Sequence, residues 1–193
     1  MNRDPRAEYE ARKPRLRREY VGIPAGTPVR LAKTTSNLLR TRRRTSVRRL
    51  DVRGLEGVLA LDPDARTADV QAMTTYEQLV DATLVHGLMP RVVPQLKTIT
   101  LGRAVAGLGI ESSSFRNGLP HESVLELEVL TGDGRVVVAR PDNEHRALFH
   151  RASAGSSPSA GCAPRTTGSW SSLSAATGPC ATRRTCASTT RAP

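Results

Sequence analysis

Apolar and polar residues alternate with a period of two in two separate stretches, and a segment between them repeats with the period of a helix. Val58, Ala60 and their neighbours up to Leu61 form a short apolar run. Asp62-Pro63-Asp64-Ala65 then has proline at the second position of a turn, and Thr67 to Met73 alternates as a returning strand. This combination predicts a β-hairpin. Tyr76, Leu79, Val80, Thr83 and Leu84 fall on an i, i+3, i+4 stripe, with Thr74 or Thr75 as N-cap, Gly87 as stop signal and Pro90 beyond it. They predict a helix. Val124 to Val129 alternates strictly and leads through Gly132-Asp133-Gly134 to Val136-Val137-Val138, a second hairpin whose first strand has one wet face. "PDNEHRALFH" closes this part as a short capped helix.

The flanks read differently. Residues 1–17 form a basic arm, helical or disordered, ahead of a domain spanning residues 18–150. "YVGIPAGTPVRLAK" offers short β-prone pieces around a Pro-Ala-Gly-Thr-Pro turn, and "RTRRRTSVRR" reads as a solvated charge run. From Arg151 onward the chain contains no Ile, Val, Phe, Tyr, Met, Asp, Glu, Lys, Asn or Gln. Such a low-complexity segment buries too little surface to offset its ordering entropy, so residues 151–193 are expected to be disordered and removable without loss of stability. Two origins fit it: a natural flexible tail, or out-of-frame translation of a GC-rich gene.

The net charge of +11 suggests an acidic partner until its distribution is considered. Residues 1–50 carry +11, residues 51–150 carry −5 and the remainder +5. The foldable middle is therefore acidic, and aromatic residues make up only 3% of the chain. Nucleic-acid binding through Arg42, Arg43, Arg44, Arg48 and Arg49 is accordingly the weaker alternative, because stacking groups are scarce. Cys162, Cys180 and Cys186 show no metal-ligand spacing, so no metal site is expected. With neither a signal-peptide pattern nor an apolar window of transmembrane length, the expected location is cytoplasmic.

Two loops carry candidate chemistry. Thr34-Thr35-Ser36-Asn37 offers hydroxyls and an amide. "TLGRAVAGLGIESSS", residues 100–114, offers three glycines and three serines. Hydroxyls and bare backbone N–H groups suit a pyrophosphate, and glycine lets a backbone approach a cofactor. Neither the P-loop nor the Rossmann fingerprint occurs, and by itself the glycine spacing fits a packed loop better than a cofactor loop. His86 suits a helix C-terminus. His121 reads as an exposed loop residue or as a group supporting the site.

The string "PQLKTITLGRAVAGLGIESSSFRNGLPHESVLELEVLTGDG", with "GVLALDPDARTADVQAMTTYEQL" before it, resembles the FAD-binding domain of the vanillyl-alcohol oxidase/p-cresol methylhydroxylase (PCMH) type. Within that family it is most similar to FAD-linked oxidases of the Δ24-sterol reductase group. The resemblance implies an α+β fold of two subdomains, here incomplete and followed by the disordered tail. It also implies an oxidoreductase acting on CH–CH or CH–OH groups, with a small, sterol- or lipid-like substrate. Thr34, Thr35, Ser36 and Asn37 match the family's pyrophosphate loop. Thr100, Leu101, Gly102, Gly107, Gly109, Ile110, Glu111 and Ser112 match its second FAD-contacting stretch. Glu111 has two readings of equal weight, cofactor contact or cap of the following turn.

Three departures stand out. Gly102 is followed by Arg103 where the family pairs glycines, and that arginine either crowds the cofactor or pairs with a phosphate. No histidine lies in "AKTTSNLLR", so FAD is expected to bind non-covalently. After "ALFH" the family's serine/glycine-rich strand and large substrate domain are missing, so no catalytic residue is assigned, and a non-functional truncated product is a further alternative.

Overall fold

A computed structural model describes residues 4–24, 26–33, 48–107, 109–153 and 172–179, with side chains through residue 150. Helix α1 (Pro5–Val21) leads to a parallel strand pair, β1 (Val29–Ala32) and β2 (Arg48–Asp51), with Val29 beside Arg48 and Ala32 beside Asp51. The predicted hairpin follows as β3 (Val58–Asp62) and β4 (Thr67–Gln71), closed by Asp62, whose carboxylate accepts the N–H groups of Asp64 and Ala65. Helix α2 (Tyr76–Leu84) starts at Thr75 with a reciprocal cap: Gln78 N–H donates to the Thr75 hydroxyl, and the Gln78 side chain accepts the Thr75 N–H. Gly87, at φ +69°, takes the left-handed conformation that ends the helical turn and turns the chain into β5 (Leu88–Pro90).

Helices α3 (Leu101–Ala106) and α4 (Ser114–Asn117) and a short 3-10 turn (Pro120–Ser123) lead into the second predicted hairpin, β6 (Val124–Leu130) and β7 (Val136–Ala139). Helix α5 (Arg146–Ser153) is prepared by Asn143, whose side-chain oxygen accepts the N–H groups of Arg140 and His145. Strand β8 (Ser172–Pro179) lies antiparallel between β4 and β6, giving the order β3-β4-β8-β6-β7, and its far end also pairs β5. The two units expected from the sequence are thus the small parallel pair and the larger six-stranded sheet.

Each face of the large sheet has its own apolar cluster. Val70, Leu127 and Val129 meet Tyr76 and Leu79 of α2, Leu101, Ala104 and Val105 of α3, and Phe149 of α5. Leu130, Leu59 and Met73 meet Tyr9 and Leu16 of α1 and Leu50 of β2. Each fully buried Leu or Val contributes on the order of 2 kcal/mol through lost water contact.

Three expectations change. The basic arm is a docked helix. The Tyr9 hydroxyl donates to Glu128 Oε2 at 3.1 Å, Lys13 Nζ lies 2.7 Å from Glu128 Oε1, and Arg17 Nε donates to the Gly134 carbonyl at 2.8 Å. Arg6 pairs with Asp69, and Arg12 reaches the Gly54 carbonyl. Consequently the face of β6 carrying Glu128 is dry there, because α1 covers it and supplies the donors a buried carboxylate needs. The strict alternation of β6 also breaks at its start, where a register shift between Val124 and Glu126 leaves Leu125 about half exposed.

Within the low-complexity tail, residues 172–179 form β8, for a topological reason, and residues 154–171 and 180–193 lie outside the described residues. Without residues 172–179 the two hairpins would face each other across an unfilled slot, each with an inner edge of unpaired N–H and C=O groups. Backbone pairing does not demand large side chains, so a segment of Ser, Ala, Thr and Gly with one Leu and one Pro can occupy the slot.

Candidate cofactor site

The residues before and within α3 are zipped to the β4–α2 connection. Tyr76 N–H donates to the Ile99 carbonyl at 3.0 Å, Leu101 N–H to the Thr74 carbonyl at 2.8 Å and Gly102 N–H to the Ala72 carbonyl at 2.9 Å. Thr74 is buried and itself bridges to Gly57, accepting its N–H at 2.8 Å and donating to its carbonyl at 3.1 Å. The glycine-rich stretch therefore hangs from the sheet by main-chain bonds. Its first part, read from sequence as loop, is helical through Ala106.

The candidate residues separate into three settings. Thr100 and Leu101 are buried, and the Thr100 hydroxyl, at the N-cap of α3, has no hydrogen-bond partner among the described residues. Gly102 packs against protein, since a Cβ there would lie 3.0 Å from both the Cβ and the carbonyl oxygen of Ala72. Gly107 closes α3, and a Cβ would come within 2.6 Å of the Arg103 carbonyl oxygen. From there the chain surfaces. Gly109 has only ordinary contacts around a notional Cβ, the nearest at 3.6 Å, Ile110 is 80% exposed and Ser112 is exposed. Phe115 on α4 is 89% exposed close by in sequence, so two large apolar side chains sit uncovered around the lip. Thr34, Thr35, Ser36 and Asn37 lie outside the described residues, as does Leu108.

Glu111 ties the lip together. Its carboxylate Oε2 accepts the Gln95 N–H at 3.2 Å, and its own N–H donates to Ser114 Oγ at 3.0 Å. Asn117 adds a second tie, donating to the Arg91 carbonyl at 2.7 Å. The Glu111 carboxylate thus serves the Gln95 segment before the lip, and it is the Glu111 main chain that meets the turn that follows. Burial, and then the nearby Glu111 carboxylate, push the Tyr76 phenol well above its ordinary pKa, so it stays protonated.

His121 is half-buried in the 3-10 turn with Nδ1 shielded and without a partner among the described residues, and His86 is exposed after α2. Sequence reasoning passed over Gln95 and Tyr76, whose main-chain N–H groups bond Glu111 and Ile99 and which carry no motif signal of their own. Among the described residues, no group of His, Cys, Asp and Glu side chains could hold a metal ion, and no helix is long and apolar enough to cross a membrane.

The comparisons with known proteins bear on what this lip holds. The family model described as FAD binding domain matches residues 24–140, which includes both candidate loops. The chain belongs to the FAD-binding-domain family. This FAD-binding domain is 32% identical over 101 residues to the Delta(24)-sterol reductase of Pisum sativum, covering 52% of this chain and 18% of that protein. It is 38% identical over 74 residues to cytokinin dehydrogenase 6 of Oryza sativa subsp. japonica, covering 38% of this chain and 14% of the relative. Among solved structures, 6-hydroxy-D-nicotine oxidase from Arthrobacter nicotinovorans superposes with a TM-score of 0.64 at 16% identity, covering 80% of this chain and 32% of that one. That likeness carries the fold. The chain spans less than a fifth of the length of these two curated relatives.

Proposed function

We propose that this chain binds FAD non-covalently between the Thr34–Asn37 loop and the lip formed by Gly107, Gly109, Ile110, Glu111 and Ser112, as the cofactor-binding part of an oxidoreductase acting on CH–CH or CH–OH groups. The observation that carries this reading is the family match across both loops, together with a lip anchored from behind and open in front. The residues present suit the group. Exposed Ile110 offers apolar surface that a flavin ring would cover. Gly109 leaves room for close backbone approach, and the unpartnered Thr100 hydroxyl marks unsatisfied polarity behind the lip. Bound FAD would supply the redox chemistry. The protein's part is to hold the cofactor through hydroxyls and main-chain N–H groups and to keep it oriented against a rigid sheet.

Non-covalent attachment rests on "AKTTSNLLR", which offers no histidine or cysteine for a flavin link. The similarity to a Delta(24)-sterol reductase supports a small, sterol- or lipid-like substrate. The nucleic-acid alternative would use Arg42, Arg43, Arg44, Arg48 and Arg49, of which Arg48 and Arg49 are exposed on β2 and the other three lie outside the described residues. Incubation with FAD, desalting and acid precipitation test the reading. Flavin that travels with the protein and is released into the supernatant supports it. Protein that emerges colourless contradicts FAD binding, and flavin that stays in the pellet contradicts non-covalent attachment.

A further inference from the structure

Apart from its partner strand, β2 packs most on helix α1. Leu50 of β2 and Leu16 of α1 share one apolar cluster, with Val29 and Leu31 of β1 packed against it. Beside that contact the Glu19 carboxylate, on α1, accepts the main-chain N–H of Asp51 at 3.1 Å. The same helix is fixed to the large sheet. Arg6 holds Asp69 of β4, Tyr9 and Lys13 hold Glu128 of β6, and the Tyr20 hydroxyl donates to the Gly132 carbonyl at 3.3 Å, in the turn before β7. The covalent link from β2 to β3 is the short segment 52–57. Helix α1 is thus a strap across the two units, and it lies outside residues 24–140, the stretch that the family model matches.

We propose that α1 sets the spacing between the small parallel pair and the large sheet for the cofactor, with Glu19 as the positioning residue on the β2 side. The assignment rests on the FAD reading above. A ligand that touches both units binds in proportion to the fraction of chains in which they are correctly spaced. Glu19 acts through β2 and not by touching the cofactor. The apolar contact of Leu16 with Leu50 is non-directional and tolerates sliding. A charge-assisted hydrogen bond to a main-chain N–H has a preferred distance and angle, so it fixes where the strand sits along the helix.

Amide hydrogen exchange without FAD, and titration with FAD, test this on the full chain and on its Glu19→Ala, Glu19→Gln and combined Leu16→Ala, Glu19→Ala variants. Alanine removes the carboxylate without weakening the helix, and circular dichroism verifies folding. The strap predicts that Glu19→Ala speeds exchange in residues 29–32 and 48–51 by roughly tenfold, the size of one hydrogen bond to a charged group. The amides of β6 and β7 should exchange as in the unaltered chain. FAD should bind more weakly to Glu19→Ala, and to the folded double variant by roughly tenfold or more, as the competent fraction falls. Glu19→Gln should recover most of both effects, because its amide oxygen still accepts the Asp51 N–H. FAD uptake indifferent to the double variant would overturn the proposal and leave the FAD reading in place. So would exchange that quickens evenly over the whole chain while FAD affinity stays unchanged, the result expected of a purely structural contact. If the unaltered chain takes up no FAD, the FAD reading itself fails and the proposal falls with it.

Discussion

Lys13 Nζ lies 2.7 Å from Glu128 Oε1, joining helix α1 to the middle of strand β6 across more than a hundred residues of sequence. Glu128 is 9% exposed, and its other carboxylate oxygen accepts the Tyr9 hydroxyl. A carboxylate so placed is tolerable only while both donors are present. The N-terminal helix is therefore structural, although its composition is that of a basic tail.

The first prediction concerns that helix. Tyr9→Ala removes a buried ring and a hydrogen bond, and should lower stability by about 3 kcal/mol. Lys13→Met leaves a nearly buried carboxylate with one donor fewer and should cost about 2 kcal/mol. Urea unfolding measures both. Values within experimental error of the unaltered chain would mean that α1 is not docked as described.

The same pair gives a pH dependence. Burial alone would lower the Lys13 pKa, but the ion pairs with Glu10 and Glu128 outweigh it and leave it raised. A base with a raised folded-state pKa contributes stability that is fully present below its unfolded value, near 10.4, and is lost as pH rises through the higher folded value. Buried Tyr76 also pulls stability down in alkali, so the useful quantity is the difference between the unaltered chain and Lys13→Met. That difference should be constant from neutral pH to about pH 10 and shrink above it. Thermal midpoints across this range check the sign.

Gly102 and Gly109 should respond differently to added side chains. Gly102→Ala forces a Cβ against Ala72 at 3.0 Å, with its backbone carbonyl on the other side, and should destabilise the fold by about 1–3 kcal/mol whether or not FAD is bound. Gly109→Ala meets nothing closer than 3.6 Å and should melt like the unaltered chain within about 1 kcal/mol. Any loss of FAD affinity in Gly109→Ala then reports contact with the cofactor. None of Gly102, Gly107 and Gly109 is in the left-handed region, so backbone strain does not enter.

Much of this architecture was legible in the sequence because period and caps agreed. Both hairpins, α2 with its Thr75–Gln78 cap, and the Gly87 turn followed from local chemistry. Helix α1 was not legible as part of the domain because its buried contact is made by a few residues, Tyr9 and Leu16 chief among them, in a charged sequence with no continuous apolar stripe. Helix α3 was hidden by the glycines at positions 102 and 107, which also mark its role in packing. Strand β8 was invisible for the opposite reason: its place is set by the open edges of β4 and β6, and its own residues carry no strand signal. At the site, the motif pointed to the lip, but that Thr100 to Gly102 pack into the protein while Ile110 and Ser112 surface is a property of the folded chain alone.

Strand β8 supplies a further prediction. A chain ending at residue 153 would leave β4 and β6 with unpaired inner edges. Its thermal midpoint should fall by several degrees, and its β4 and β6 amides should exchange with solvent faster. An unchanged midpoint and unchanged exchange would return residues 154–193 to the status of a dispensable tail.

The central claim is that FAD lies against the lip of the glycine-rich stretch and the loop after β1. Amide hydrogen exchange, followed with and without FAD, tests it most directly, because it reports binding and location together. The account predicts slowed exchange confined to peptides covering residues 34–37 and 107–112, with β6 and β7 unaffected. Exchange that FAD leaves unchanged at both loops, or slows only elsewhere, would contradict it.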